Sequence, residues 1–118
     1  MFENVECVGG ATTISLNSFR FAGQRYTVIT SDITHLQHIQ YGFDREAGYQ
    51  GILGNYETML FIGEDEQNIF PDNPFPELPG HPKLGYFARY ETEDEARDGH
   101  QAFVTKLQQL LAAKSDRN

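Results

Sequence analysis

Two histidines, His35 and His38, stand three residues apart and could present two imidazoles to a metal ion from one face of a helix. A zinc site needs a third and a fourth ligand, and the chain contains no second pair of ligands at a suitable spacing. Two polar side chains on a solvated face explain the pair better. The sequence therefore predicts no metal site and no cofactor, and His35 and His38 are its weak metal candidates.

A third histidine, His100, follows Gly99 on the apolar stripe of a predicted C-terminal helix. It could act as an acid or base beside Glu57 or Glu91. A buried histidine that hydrogen-bonds to a strand explains its position without catalysis. Gly99 would then let the helix approach the strand at residues 57–59, and His100 would bond to that strand or to Glu57. We predict structural roles for Gly99 and His100 and no catalytic residue.

Two runs of carboxylates, at residues 64–66 and 93–95, could attract a divalent cation, but neither has the spaced oxygens and glycine of an EF-hand loop. The second run is explained by a capping box, in which the Thr92 hydroxyl accepts from the backbone N–H of Glu95 and the Glu95 carboxylate reaches back. The first run is typical of a solvated turn. The chain has no Gly-x-Ser-x-Gly elbow, phosphate loop or dinucleotide fingerprint.

The composition places the chain among small acidic globular proteins. Its 118 residues include 17 acidic and 9 basic side chains, a net charge of −8, and 39% hydrophobic residues, which favours one domain over residues 1–118. The negative charge argues against direct binding to nucleic acid. No apolar run reaches the length needed to cross a bilayer, and the acidic start of the sequence predicts no secretory leader. One cysteine excludes an internal disulfide.

The acidic residues concentrate in one third of the chain. Residues 64–98 carry ten acidic and three basic side chains, and all five prolines lie between residues 71 and 82. We interpret residues 64–83 as a stiff surface loop whose two phenylalanines either pin it to the body of the protein or face a partner. The predicted interaction residues are Glu64, Asp65, Glu66, Phe70, Asp72, Phe75 and Glu77.

The hydrophobic patterning predicts an α+β fold, in which a small antiparallel sheet of about four strands packs against one long C-terminal amphipathic helix. The strands lie near residues 14–21, 25–30, 55–62 and 84–91, and the helix spans 93–113. Residues 1–54 form a hairpin and a loop region, which includes a short helix capped by Ser31 or Asp32. Residues 55–113 form a strand, the proline-rich loop, a second strand and the helix.

Two short motifs resemble small tailed-bacteriophage proteins of unknown function. Residues 57–61 read Glu-Thr-Met-Leu-Phe, and residues 89–100 fit the pattern Arg-Tyr-x-Thr-x-x-Glu-Ala-x-x-Gly-His. The similarity covers residues 56–104 and implies a phage or prophage origin and a β-loop-β-α unit, but no reaction. The chain departs from the shorter members in its long proline-rich loop and in residues 1–55, where an added function could reside.

These observations predict a non-enzymatic protein that acts through protein–protein contacts, in the virion or in the host cytoplasm. The leading hypothesis is a minor virion component associated with the head, neck or tail. The alternatives are a host-directed accessory inhibitor that binds a basic host or defence protein, and a small metal- or histidine-dependent enzyme. The predicted partners are virion subunits or a host protein, and homo-oligomerisation stays open.

Overall fold

The computed structural model of the chain describes residues 2–34, 55–64, 75–81 and 85–116. These residues form an antiparallel sheet and one helix, α1, at Glu93–Asp116. The strands in chain order are β1 (Glu3–Asn4), β2 (Thr13–Phe21), β3 (Gln24–Asp32), β4 (Tyr56–Ile62), β5 (Gly80–His81) and β6 (Gly85–Tyr90). The α+β fold with a single long C-terminal helix is confirmed.

The strands follow the order β1-β2-β3-β4-β6-β5 across the sheet. β4 lies at the centre, because it pairs with β3 over all seven of its residues and with β6 on its other side. The four predicted strands are confirmed as β2, β3, β4 and β6. The two-residue strands β1 and β5 were not predicted, because such short segments carry no measurable alternation.

One face of the sheet carries the core, which α1 covers. Strand alternation puts Phe19, Val28 and Leu60 on this face, where each is at most 1% exposed. From α1 the predicted stripe of Ala96, His100, Phe103, Leu107 and Leu111 is buried against them, together with Val104. Burial of each large apolar side chain contributes about 1.5–3 kcal/mol, so this layer supplies the main stabilisation of the fold.

The opposite side of α1 is exposed and polar, as the amphipathic pattern predicts. The helix extends three residues beyond the predicted end at Ala113, and Lys114 in its last turn complements the helix dipole. No helix in the described ranges is long and apolar enough to cross a membrane.

A two-residue turn at Ala22 and Gly23 joins β2 to β3. Both residues have positive φ, 52° at Ala22 and 80° at Gly23, which is the backbone geometry of a type I′ hairpin turn. Glycine adopts this conformation without strain, but a Cβ at Ala22 is unfavourable there. Ala22 therefore has a backbone conformation that is unfavourable for its residue type.

The region after β3 only partly follows the prediction. Ser31 and Asp32 belong to the strand, and the Asp32 carboxylate then accepts from the backbone N–H of Thr34 at 2.9 Å, as a helix-capping side chain does. The predicted short helix and the rest of the predicted loop region lie outside the described residues.

We predict that Ala22→Asn raises the free energy of unfolding by about 1 kcal/mol, because asparagine tolerates the left-handed conformation that alanine adopts here with strain. Urea denaturation of both proteins measures the difference. Ala22→Val is the control and should lower the stability. An unchanged denaturation midpoint in Ala22→Asn would contradict the account.

Candidate functional site

The first turn of α1 fixes the position of the predicted Gly-His step. The backbone N–H of Glu95 donates to the Thr92 hydroxyl at 3.2 Å, and the first helical bond joins Ala96 N to the Thr92 carbonyl at 3.0 Å. The Thr92 hydroxyl in turn donates to the Glu95 carboxylate at 2.9 Å. The predicted cap is therefore present, but the Glu95 carboxylate meets the threonine hydroxyl and not the backbone N–H expected in a capping box.

Gly99 lies against the ring of Tyr90, the last residue of β6. A Cβ placed at Gly99 would come within 2.2 Å of the Tyr90 ring carbon Cζ and 2.3 Å of its hydroxyl oxygen. The expectation that Gly99 permits a close approach is confirmed, but the neighbour is a tyrosine ring on β6 and not the β4 strand. The glycine makes room for a side chain that crosses under the helix.

His100, one residue further along α1, is 3% exposed and bonds to two strands. Its Nδ1 lies 2.7 Å from the Thr30 hydroxyl on β3, and its Nε2 lies 2.8 Å from the Asn17 amide oxygen on β2. The predicted bond to a strand is thus present, but to β3 and β2. The predicted partner Glu57 is wrong, because Glu57 lies on the opposite face of the sheet, where it pairs with Arg89 at 2.8 Å.

These contacts belong to a longer series of hydrogen bonds, which we call the polar chain: Asn17, His100, Thr30, Thr58 and Tyr90. Thr30 and Thr58 are directly paired across β3 and β4, and their hydroxyls are hydrogen-bonded. The Tyr90 hydroxyl bonds to Thr58. The polar chain thereby takes one side chain from each of β2, β3, β4, β6 and α1.

The order of donors and acceptors along the polar chain follows from Asn17, the residue at one end. An amide oxygen only accepts, so His100 Nε2 carries the proton and Nδ1 accepts from the Thr30 hydroxyl. Thr30 then accepts from Thr58, and Thr58 accepts from the Tyr90 hydroxyl. Each hydroxyl donates once and accepts once, apart from Tyr90 at the start, so the arrangement is internally consistent with a neutral imidazole.

Burial sets the protonation state of the polar chain. Desolvation lowers the pKa of His100 from 6.5 to about 4, and burial raises the pKa of Tyr90 above its usual value of 10.0. Both groups are therefore neutral at pH 7. With both ring nitrogens bonded to side chains and almost no exposed surface, His100 is positioned to connect the helix to the sheet and not to exchange protons with a substrate.

The other face of the sheet carries a second set of polar contacts. The Ser18 and Thr27 hydroxyls lie 2.9 Å apart, and Arg25 Nε donates to Ser18 at 3.2 Å. Two guanidinium groups meet Glu64 just after β4, Arg20 at 2.6 Å and Arg25 at 3.6 Å. A hydrogen bond and the charge of Arg20 hold the pKa of the Glu64 carboxyl below its usual value. Glu64 is therefore neutralised locally by arginines of the β2–β3 hairpin.

The remaining predicted interaction residues differ in burial, and several lie outside the described residues. Phe75 is 4% exposed and packs on Tyr26 and Tyr86, so its ring pins the loop to the core, one of the two predicted roles. Its backbone N–H donates to the Tyr86 hydroxyl at 2.7 Å. Glu77 is exposed. Outside the described residues lie Asp65, Glu66, Phe70, Asp72 and the histidine pair His35 and His38.

Metal ligation finds no support in the residues that the structure describes, which contain no cluster of three or more histidine, cysteine or carboxylate side chains.

The side chains that bond to His100 or extend its polar chain were not predicted from the sequence: Asn17, Thr30, Thr58 and Tyr90. Because successive side chains of a strand point to opposite faces, Thr58 and Glu57 cannot both face the helix. The alternation of β4 could therefore have excluded Glu57 as a partner of His100.

Comparisons of the chain with protein-family models, with curated proteins and with solved structures gave no match.

We predict that Gly99→Ala destabilises the protein by about 1–3 kcal/mol, since the new methyl group overlaps the Tyr90 ring and overpacking outweighs the gain in helix propensity. Urea denaturation measures the effect. Gln101→Ala, on the exposed side of the same helix, is the control and should be nearly neutral. Adding Tyr90→Ala should reduce the cost of Gly99→Ala. A cost that is the same in both backgrounds would contradict the proposed overlap.

We predict a loss of stability in mild acid that depends on His100. Its pKa is lower in the folded state, about 4, than the ordinary 6.5, so its contribution is fully present above pH 6.5 and is lost as the pH falls toward 4. Between pH 7 and pH 5 we expect a loss of about 2 kcal/mol.

Urea denaturation at each pH, compared between the wild type and His100→Gln, isolates this term because the substitution removes only this titration. Glu64 acts in the same direction but only below its usual pKa of 4.5, outside the measured window. Equal pH slopes for the two proteins would show that His100 is not the titrating group.

Proposed function

We propose that the chain is a small acidic protein of phage or prophage origin that acts through protein–protein contacts, most simply as a minor virion component of the head, neck or tail. The phage origin rests on the resemblance of residues 56–104. One structural observation supports a non-enzymatic role: His100, which the sequence offered as a possible acid or base, has both ring nitrogens bonded inside the polar chain and a pKa of about 4.

The exposed acidic surface supports a role in protein contacts. Four exposed carboxylates lie on the first turns of α1, and we call them the helix acidic patch: Glu93, Asp94, Glu95 and Asp98. Glu93 is paired with Arg97 at 3.0 Å, while the patch as a whole keeps an excess of negative charge. Glu64, in contrast, is paired with two arginines. The helix acidic patch is therefore the better candidate for contact with a basic surface.

The experiment is mass spectrometry of purified particles, combined with affinity purification of the tagged chain from producing cells. We expect the chain in particles, and we expect Asp94→Asn with Asp98→Asn to lower its incorporation about fivefold through lost charge complementarity. Lys106→Gln is the matched control, because it removes an exposed charge elsewhere on the same helix.

Absence from particles, together with recovery of one basic host protein, would favour the host-directed inhibitor instead. Recovery of no specific protein in either experiment would contradict a role through protein contacts. Equal incorporation of the patch variant and the wild type would exclude the helix acidic patch as the contact surface.

A further inference from the structure

The outer edge of β2 is covered over only part of its length. β2 has nine residues, but β1 pairs with it only at Arg20 and Phe19. One further bond joins Val5 N to the Ser18 carbonyl at 2.9 Å. Beyond Ser18 the N-terminal segment leaves the strand, so within the described ranges no strand pairs with β2 on this side.

Strand alternation identifies which backbone groups point away from β3. The two-residue turn closes on the pair Phe21 and Gln24, so from Phe21 back to Ser15 the odd-numbered positions of β2 bond to β3 and the even-numbered positions face outward. The register shift between Ser15 and Thr13 ends this alternation. The Ser18 carbonyl accepts from Val5, as this assignment requires, and the Ile14 carbonyl accepts from Arg97 at 3.1 Å. Leu16 lies between them, and its outward N–H and C=O have no partner among the described residues.

Space for a ligand lies beside these groups. An open cavity of about 430 Å³ is lined by residues 4–8 and 16–18. Leu16 and Cys7 line it and are half-buried, and Val8 at its rim is 96% exposed. An exposed strand edge with unpaired backbone groups and adjacent apolar side chains is the usual setting for the addition of another strand.

The charges around this edge are mainly negative. Glu3 on β1 and Glu6 beside the cavity are exposed, and Glu93 lies above the edge on α1, bonded to Arg97. Two arginines contact the edge, Arg97 at the Ile14 carbonyl and Arg25 at the Ser18 hydroxyl. Each is already paired with a carboxylate, Arg97 with Glu93 and Arg25 with Glu64. A segment with lysine or arginine side chains would therefore be favoured here, whereas a second copy of this chain would bring like charges together.

We propose that the outer edge of β2 at residues 14–18 binds an extended, basic segment of a partner protein as an additional antiparallel strand, with backbone hydrogen bonds to Leu16. This inference rests on the proposed function, because it specifies how the protein partner is held. The backbone of Leu16 supplies the binding groups, and the surrounding carboxylates select basic side chains.

The direct test titrates the isotope-labelled chain with a synthetic peptide of alternating lysine and valine, and with a matched peptide of alternating glutamate and valine. We expect the basic peptide to slow hydrogen exchange of the Leu16 amide about tenfold, since the amide becomes hydrogen-bonded. The acidic peptide should leave the exchange unchanged. This measurement on the wild type needs no substitution to fold.

Two variants test the backbone contact. Leu16→Pro removes the outward N–H but no bond to β3, and should weaken basic-peptide binding about tenfold, as expected for one lost hydrogen bond. Leu16→Ala keeps the N–H and is the matched control. Arg97→Ala frees the Ile14 carbonyl and removes a positive charge, so it should strengthen binding about threefold or more.

Several results would overturn the inference: no exchange protection at Leu16 with the basic peptide, equal binding of the acidic peptide, or equal affinity of Leu16→Pro and Leu16→Ala.

Protection of Leu16 that grows with protein concentration in the absence of peptide would assign the edge to a second copy. A partner recovered from cells equally by the wild type and Leu16→Pro would leave the proposed function standing and refute this mode of binding. Recovery of no partner by either protein would contradict the proposed function itself.

Discussion

The hydrogen bonds of a neutral His100 hold the helix and the sheet of this protein in one arrangement. The imidazole joins α1 to β2 through Asn17 and to β3 through Thr30. From Thr30 the hydrogen bonds continue to Thr58 on β4 and Tyr90 on β6. Apolar packing alone permits a helix to slide on a sheet, because hydrophobic contact is non-directional. A buried polar chain in which every group has a partner removes that freedom. A charged imidazole cannot accept from Thr30, so protonation of His100 would break the present order of donors and acceptors.

The position of Tyr90 shows how packing and hydrogen bonding depend on one another. Its hydroxyl reaches Thr58 only because the ring passes beneath the helix at Gly99, where no side chain is present. The Thr92 cap then begins the helix two residues after Tyr90 and fixes the rotation of α1. Residues 90–100 thus contain the end of β6, the helix cap, the glycine and the histidine that together orient α1 on the sheet.

The fold was largely predictable from sequence because its elements follow local rules. Alternation marked the long strands, and Thr92 with Glu95 marked the start of the helix. The site was less predictable, since the partners of His100 depend on the register between strands distant in sequence. Thr30 and Thr58 become neighbours only when β3 pairs with β4, and no local pattern specifies that pairing. Glu64 likewise meets Arg20 and Arg25 only after the hairpin has folded.

The connection between β4 and β6 is fastened at two points along the chain. Glu64 is tied to the hairpin arginines at one end, and at the other end Phe75 is held by the Tyr86 hydroxyl and by the turn in which Leu78 N bonds to the Phe75 carbonyl at 3.1 Å. Each end is therefore held to the body of the protein by its own contacts, and the register between β4 and β6 is set by their direct pairing.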